Sequence, residues 1–357
     1  MRAHETPPIK STICLTICAA ALLLSNRWCL AQNCPNTGSV TINTANEETL
    51  LSQYQPYPSP SPAVLKRYRF QPPQGPGSLT PPWPTVLMVP PNIFKNDMII
   101  DDGEPNERHA SYDLQQAGFL VFQVETRLAS PGKLPGQTTG DLGYAPEQTD
   151  DLKRQILAAI NDSQCNGNIY LVGGSSGGTL ALWCALDPAA GAVSGWGEPA
   201  RSHIKAAVSL SGPSQLCDWT PGNIPQGALT SFENDVDNYV GLSSQINCDP
   251  NCGFSVTCAL DQASPAWLVT HGATSNPPPI RLYATDGDPV PYPQADDMFQ
   301  ALFNHYGITF DVQEWKMTYQ YGTQFDHAFK YWPAKNDAMG SDGKCVHNEV
   351  ITFLQSH

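Results

Sequence analysis

The segment Ile169-Tyr-Leu-Val-Gly-Gly-Ser-Ser-Gly-Gly-Thr-Leu-Ala-Leu-Trp-Cys-Ala-Leu186 decides the fold. Its first four residues are a short apolar run of the kind that forms a strand buried on both faces. Four glycines and two serines follow, and from Gly177 the apolar residues recur at helical spacing. A strand that passes into a helix through one tight turn, with serine at the apex, is a nucleophile elbow. The glycines have a mechanical reason: small residues at 173 and 177 let strand and helix pass closely on either side of the turn. Both Gly173-x-Ser175-x-Gly177 and Gly174-x-Ser176-x-Gly178 fit the Gly-x-Ser-x-Gly spacing. Ser175 is preferred, because it follows the strand at the shorter interval and leaves Ser176 to offer the first backbone N–H of the helix to an oxyanion. A glycine-rich turn with solvent-facing serines is the structural alternative.

Working outward, further apolar runs at 85–89, 119–124, 206–210, 280–284 and 310–315 read as strands, and 107–116, 149–160 and 292–305 carry apolar residues at helix spacing. This alternation predicts an α/β fold with a mostly parallel central sheet covered by helices on both faces. The proline-dense stretch 53–84 encloses an alternating run at 64–70 and is read as an edge hairpin with rigid turns, rather than a free linker. The alternation breaks at about 214–264, an interval holding four cysteines, which is read as a disulfide-braced cap inserted over the site.

Downstream of the elbow the residues needed to activate a serine occur in the order Ser, Asp, His. After the run 280–284 comes Thr-Asp286-Gly-Asp288-Pro-Val-Pro291, which places a carboxylate at a strand end where it can orient an imidazole. Asp288 is the choice, with Asp286 the rival and a turn role its alternative reading. His327, in Gln324-Phe-Asp-His-Ala-Phe329, lies 39 residues after Asp288 and just before the final helical segment, and is assigned as general base and then acid. His109, His203, His271, His305, His347 and His357 are read as ordinary surface or core residues.

Together the elbow, Asp288-Pro-Val-Pro and Phe-Asp-His327-Ala-Phe resemble the α/β-hydrolase superfamily, nearest to its hormone-sensitive-lipase-like and acyl-esterase branches, over roughly 84–355. Glu125-Thr-Arg-Leu-Ala-Ser is similar to that family's Tyr-Arg-Leu-Ala-Pro signature, and Ala263-Ser-Pro precedes Pro277-Pro-Pro as in those esterases. The resemblance implies a Ser175–His327–Asp288 triad acting on carboxylic esters through an acyl-enzyme. One departure concerns the oxyanion loop: where the family often has His-Gly-Gly, this chain has Val89-Pro-Pro-Asn-Ile93. Proline has no N–H to donate, so the second oxyanion donor falls to Asn92 or Ile93 beside Ser176. Gly-Gly-Ser-Ser-Gly-Gly also resembles an amidase signature with Lys95 as its lysine, but Ser194-Gly-Trp-Gly fills the region where that family expects another Gly-Gly-Ser. A prolyl-peptidase-like enzyme on the same fold and a catalytically idle binding protein are the remaining alternatives.

Bulk properties bound the setting. Arg2 and Lys10 precede the apolar run 12–24, and Cys29-Leu-Ala31 offers small residues for cleavage before Gln32, so 1–31 reads as a signal peptide and 32–357 as the hydrolase domain. The apolar run is too short for a membrane span, which needs about 20 residues. Removing 1–31 takes away Arg2, Lys10, Arg27 and Glu5 and moves the formal charge from −14 to −16, which disfavours nucleic acid and anionic lipid as partners. The remaining eight cysteines, Cys34, Cys165, Cys184, Cys217, Cys248, Cys252, Cys258 and Cys345, suggest disulfides in a secreted or periplasmic protein, with no pairing fixed. A zinc site at 248–258 lacks a matching second pair. Calcium at Asp101-Asp-Gly-Glu104 is weighed against a solvated loop, which is preferred, and no dinucleotide or phosphate-loop spacing appears, so no cofactor or metal is expected. The expected partner is a small-molecule or polymer-linked ester; oligomeric state is left open.

Overall fold

The computed structural model describes residues 47–49, 65–74, 79–91, 94, 105–127, 129, 143–145, 147–191, 193–217, 236–237, 239–240, 259–286, 288–318 and 327–357, all within one compact unit spanning 34–357. Among them, eight strands form one sheet: β1 (Glu47–Thr49), β2 (Lys66–Phe70), β3 (Trp83–Val89), β4 (Leu120–Val124), β5 (Cys165–Gly174), β6 (Ile204–Leu210), β7 (Ile280–Thr285) and β8 (Val312–Met317). The order is β1-β2-β4-β3-β5-β6-β7-β8. From β4 to β8 every pairing is parallel, while β2 runs antiparallel to β4 and β1 antiparallel to β2.

Helices α1 (Pro105–Gln116), α2 (Glu147–Ile160), α3 (Ser176–Leu186), α4 (Glu198–Arg201), α5 (Ala259–Gln262), α6 (Pro265–His271), α7 (Pro293–Tyr306) and α8 (Val346–Gln355) connect and cover the strands. Side chains alternate between the two faces as the strand period demands. On β5, Ile169 and Leu171 join one apolar cluster with α2, α3, α6 and α7, and Tyr170 and Val172 join the other with α1 and α8. Both faces are therefore buried, which is why the central strands read as continuous apolar runs.

Where sequence and structure differ, non-local pairing is the cause. Strand β5 starts at Cys165, ahead of the apolar run, because Cys165 pairs with Trp83 and carries the polar Asn166-Gly-Asn168 into the sheet. The hairpin expected within 53–84 is corrected: β2 pairs with β1, from before the proline-dense stretch, and with β4, whereas β3 pairs with β4 and β5. This edge is clamped by charge. Arg67 and Arg69 reach Glu48 on β1 and Asp162 in the α2–β5 turn, and both guanidinium groups lie over the Phe122 ring, at 4.0 and 4.8 Å from its centroid.

Two of the eight cysteines read as disulfide candidates form no bond, and Cys34, Cys248, Cys252 and Cys258 lie outside the described residues. Cys165 and Cys184 are buried free thiols. Cys184 is fully buried within α3, where its thiol faces the Thr149 carbonyl at 3.5 Å, and burial pushes its pKa up. Both act as small hydrophobes in the core. Cys217 and Cys345 are disulfide-bonded.

The proposed cap lies largely outside the described residues, but its two stems are described. The Gln294 side chain accepts the N–H groups of Ser214 and Gln215 at 2.9 and 2.8 Å and donates to the Gln215 carbonyl at 2.9 Å. Ser264 Oγ accepts the Leu216 N–H at 2.8 Å, joining the two stems. Helix α6 begins at Ser264-Pro265, with proline at the first helical position, where its missing N–H costs nothing.

Candidate active site

Strand order reverses between β3 and β5, since β4 follows β3 on one side of the sheet and β6, β7 and β8 follow β5 on the other. In open α/β sheets, ligands bind at the carboxyl ends of the strands beside such a reversal. Ser175 stands at this place, immediately after β5, with φ 51 and ψ −126. That left-handed backbone is strained for a non-glycine residue and marks the apex of the turn. Ser176, by contrast, is the first residue of α3.

Glycine sterics give the turn its shape. A Cβ on Gly173 would sit 2.1 Å from the Gly177 carbonyl oxygen, and one on Gly177 would sit 2.1 Å from the Val89 carbonyl oxygen and 2.7 Å from that of Pro90. The first approach closes strand on helix, as expected from the sequence. The second, which the sequence did not reveal, brings the Val89-Pro90 loop onto the first turn of α3. Gly178 meets the end of β6, its Cβ position lying 2.6 Å from Ser209 Oγ and 2.9 Å from Gly212 Cα.

Asp288 lies three residues beyond β7 and is 3% exposed. Its Oδ1 is 2.7 Å from His327 Nδ1 and also accepts the Val290 N–H at 2.7 Å. Asp286, the rival carboxylate, is exposed and pairs with Lys316 at 3.0 Å. A carboxylate on Nδ1 selects the tautomer whose Nε2 is free of a proton and can accept one. His327 precedes a 3-10 turn, Ala328–Tyr331, which lies against the elbow: a Cβ on Gly174 would be 2.9 Å from Ala328 Cβ and 2.8 Å from the Phe329 ring. The residue before Ser175 thus touches the residue after His327.

Asn92 and Ile93 lie outside the described residues, as do the acidic cluster at 101–104 and the segment 1–31. Phe94, where the loop re-enters the core, stacks on Tyr239 with ring centroids 3.9 Å apart. Arg127, from the segment compared with the family signature, is buried and holds Asp151 through its backbone N–H and Nε, each at 2.8 Å, and Nη2 at 3.0 Å, pinning the exit of β4 to α2. Among the described residues no group of three or more metal-ligating side chains gathers, and no helix is long and apolar enough to cross a membrane.

Sequence reasoning missed Ser211 and Tyr331. Ser211 directly follows β6, is buried, has φ 59, and donates to Asp288 Oδ2. Its one legible signal was position, in Leu210-Ser-Gly-Pro213 at the carboxyl end of a central strand.

No protein-family model and no curated protein matches the sequence. Solved structures do match the fold. Esterase B from Lactobacillus rhamnosis superposes with a TM-score of 0.55 at 16% identity, covering 96% of this chain and 92% of that one. The apo form of Thermogutta terrifontis esterase 2 gives 0.52 at 13% identity, with 88% and 94% covered. An acetyl ester-xyloside bifunctional hydrolase from Caldicellulosiruptor lactoaceticus gives 0.50 at 15%, with 76% and 84% covered. At such identities the likeness establishes the fold, an α/β-hydrolase-like one whose neighbours are esterases.

Proposed function

We propose that the chain is a serine hydrolase that cleaves carboxylic esters through an acyl-enzyme, with Ser175 as nucleophile, His327 as base and Asp288 as its orienting acid. The observation that carries this reading is the strained Ser175 turn packed, through Gly174, against the segment bearing a histidine held 2.7 Å from a buried carboxylate. Esterase neighbours agree with the reaction class. The hormone-sensitive-lipase-like or acyl-esterase branch is the finer assignment, supported by the Arg127 segment and Asp288-Pro-Val-Pro.

In this reaction Ser175 Oγ attacks the acyl carbon as His327 Nε2 takes its proton, and the carbonyl electron pair moves to oxygen. The Ser176 N–H and a donor from Asn92 or Ile93 receive that oxyanion. Collapse expels the alcohol, which takes the proton from His327. Water then attacks the acyl-enzyme, giving its proton to His327, and the carboxylic acid leaves as Ser175 recovers its hydrogen. Asp288 holds the His327 ring throughout, neutral or protonated, and no cofactor is needed.

The test is turnover of p-nitrophenyl acyl esters of graded chain length by residues 32–357. Ser175→Ala is expected to lower kcat at least about 10⁴-fold, as loss of a nucleophile does. Ser176→Ala, which keeps the backbone donor, should stay within about tenfold of wild type, because the side chain is not the donor. A wild-type protein that neither turns over any ester nor labels at Ser175 with a fluorophosphonate would refute the assignment.

A further inference from the structure

We propose that Ser211 is a positioning residue of this site, its one hydroxyl fastening the loop that carries the acid to the loop that carries the base. The proposal rests on the hydrolase reading of Asp288 and His327.

Three hydrogen bonds saturate the hydroxyl. A carboxylate can only accept, so the Ser211 proton goes to Asp288 Oδ2. The two lone pairs face the Ala328 N–H, at 3.1 Å, and the Tyr331 hydroxyl, at 2.9 Å. Ala328 is the residue after His327, so Ser211 grips Asp288 through the oxygen that His327 does not use and grips the base through its adjoining backbone. Tyr331 is fully buried, and burial together with the negative Asp288 pushes its hydroxyl well above the ordinary tyrosine pKa. It therefore remains a donor, its single proton shared between Ser211 Oγ and the Tyr283 carbonyl, 3.1 Å away.

The backbone at this point serves the same end. The Leu210 carbonyl accepts the Ser175 N–H at 2.8 Å, and the Ser211 N–H donates to the Tyr283 carbonyl on β7 at 2.8 Å. Residues 210 and 211 thus touch the elbow, the acid loop and the base loop in succession. The left-handed φ of 59 at Ser211 is the conformation in which these contacts are made together, and it is one that non-glycine residues seldom adopt.

Ser211→Gly and Ser211→Ala separate the hydroxyl from the backbone. Glycine adopts φ 59 freely and keeps the variant foldable, alanine retains the strain, and both lose the oxygen. Kinetics on the ester series, normalised to fluorophosphonate-reactive sites, are read beside the proton NMR resonance of His327 Nδ1–H. Both variants are expected to lose about 10–100-fold in kcat with KM within about twofold, the size of effect that misplacement of a reacting group produces. The Nδ1–H resonance should broaden through exchange with water in both. Wild-type kcat and an unchanged resonance in Ser211→Gly would overturn the proposal, and so would a defect confined to Ser211→Ala, which would assign the effect to strain. If the wild type neither turns over nor labels, the hydrolase reading fails by itself, and the Nδ1–H comparison still decides whether Ser211 holds the Asp288–His327 pair.

Discussion

At the scale of single residues, the elbow shows how much of a site can be dictated by what is absent. Gly177 faces main-chain carbonyls of Val89 and Pro90, which cannot rotate away as a flexible side chain would. Gly177→Ala is therefore expected to cost about 3 kcal/mol, at the upper end for overpacking, read from the urea midpoint. Gly272→Ala is the contrast: its Cβ would find Leu268 Cδ1 at an ordinary 3.8 Å, and its effect should stay within about 1 kcal/mol. Equal losses at the two positions would show that the close approach to the Val89-Pro90 loop does not govern the elbow.

Between elements, a buried ionic contact joins α2 to the end of α3 beside their apolar packing. Lys153 on α2 is almost wholly buried, with Nζ 2.7 Å from Asp187 and 3.5 Å from Asp150, and it lies 5.8 Å above the Trp196 ring. A buried pair of this kind adds little over a well-packed apolar one, but removing one partner strands the others. Lys153→Met leaves two buried carboxylates facing each other and is expected to destabilise the fold by about 3–5 kcal/mol, measured by chemical denaturation. A loss below about 1 kcal/mol would mean that water reaches these carboxylates. Helix α2 was legible from its apolar spacing, but this contact was not, because Asp187 is 34 residues away in sequence.

For the whole molecule, stability should depend on pH through Glu349 on α8. Burial, with Asp342 nearby, pushes this carboxyl from 4.5 up to about 7 against the opposing hydrogen bond from Asn336. A raised carboxyl pKa favours the native state while the group is protonated, so the Glu349 contribution is present below about 4.5 and is lost as pH rises to about 7. Glu349→Gln should stabilise the protein by about 1–2 kcal/mol at pH 8, allowing for partial exposure, and by nothing measurable at pH 4.5. An equal gain at both pH values would assign the effect to packing. Export is a separate proposal at this scale: the protein recovered outside the cell is expected to begin at Gln32, as N-terminal sequencing would read it, and an intact Met1 there would refute cleavage. By itself the sequence determined the α/β alternation and the strand–turn–helix at 169–186, because apolar period and glycine sterics are local properties that a few neighbouring residues express. Only the tertiary structure decided that Ser211 stands behind Asp288 and His327, that Cys165 and Cys184 stay free, and that β2 pairs with β1 and β4. Each of these depends on which distant strand ends the sheet order brings side by side, and no local pattern of residues encodes that.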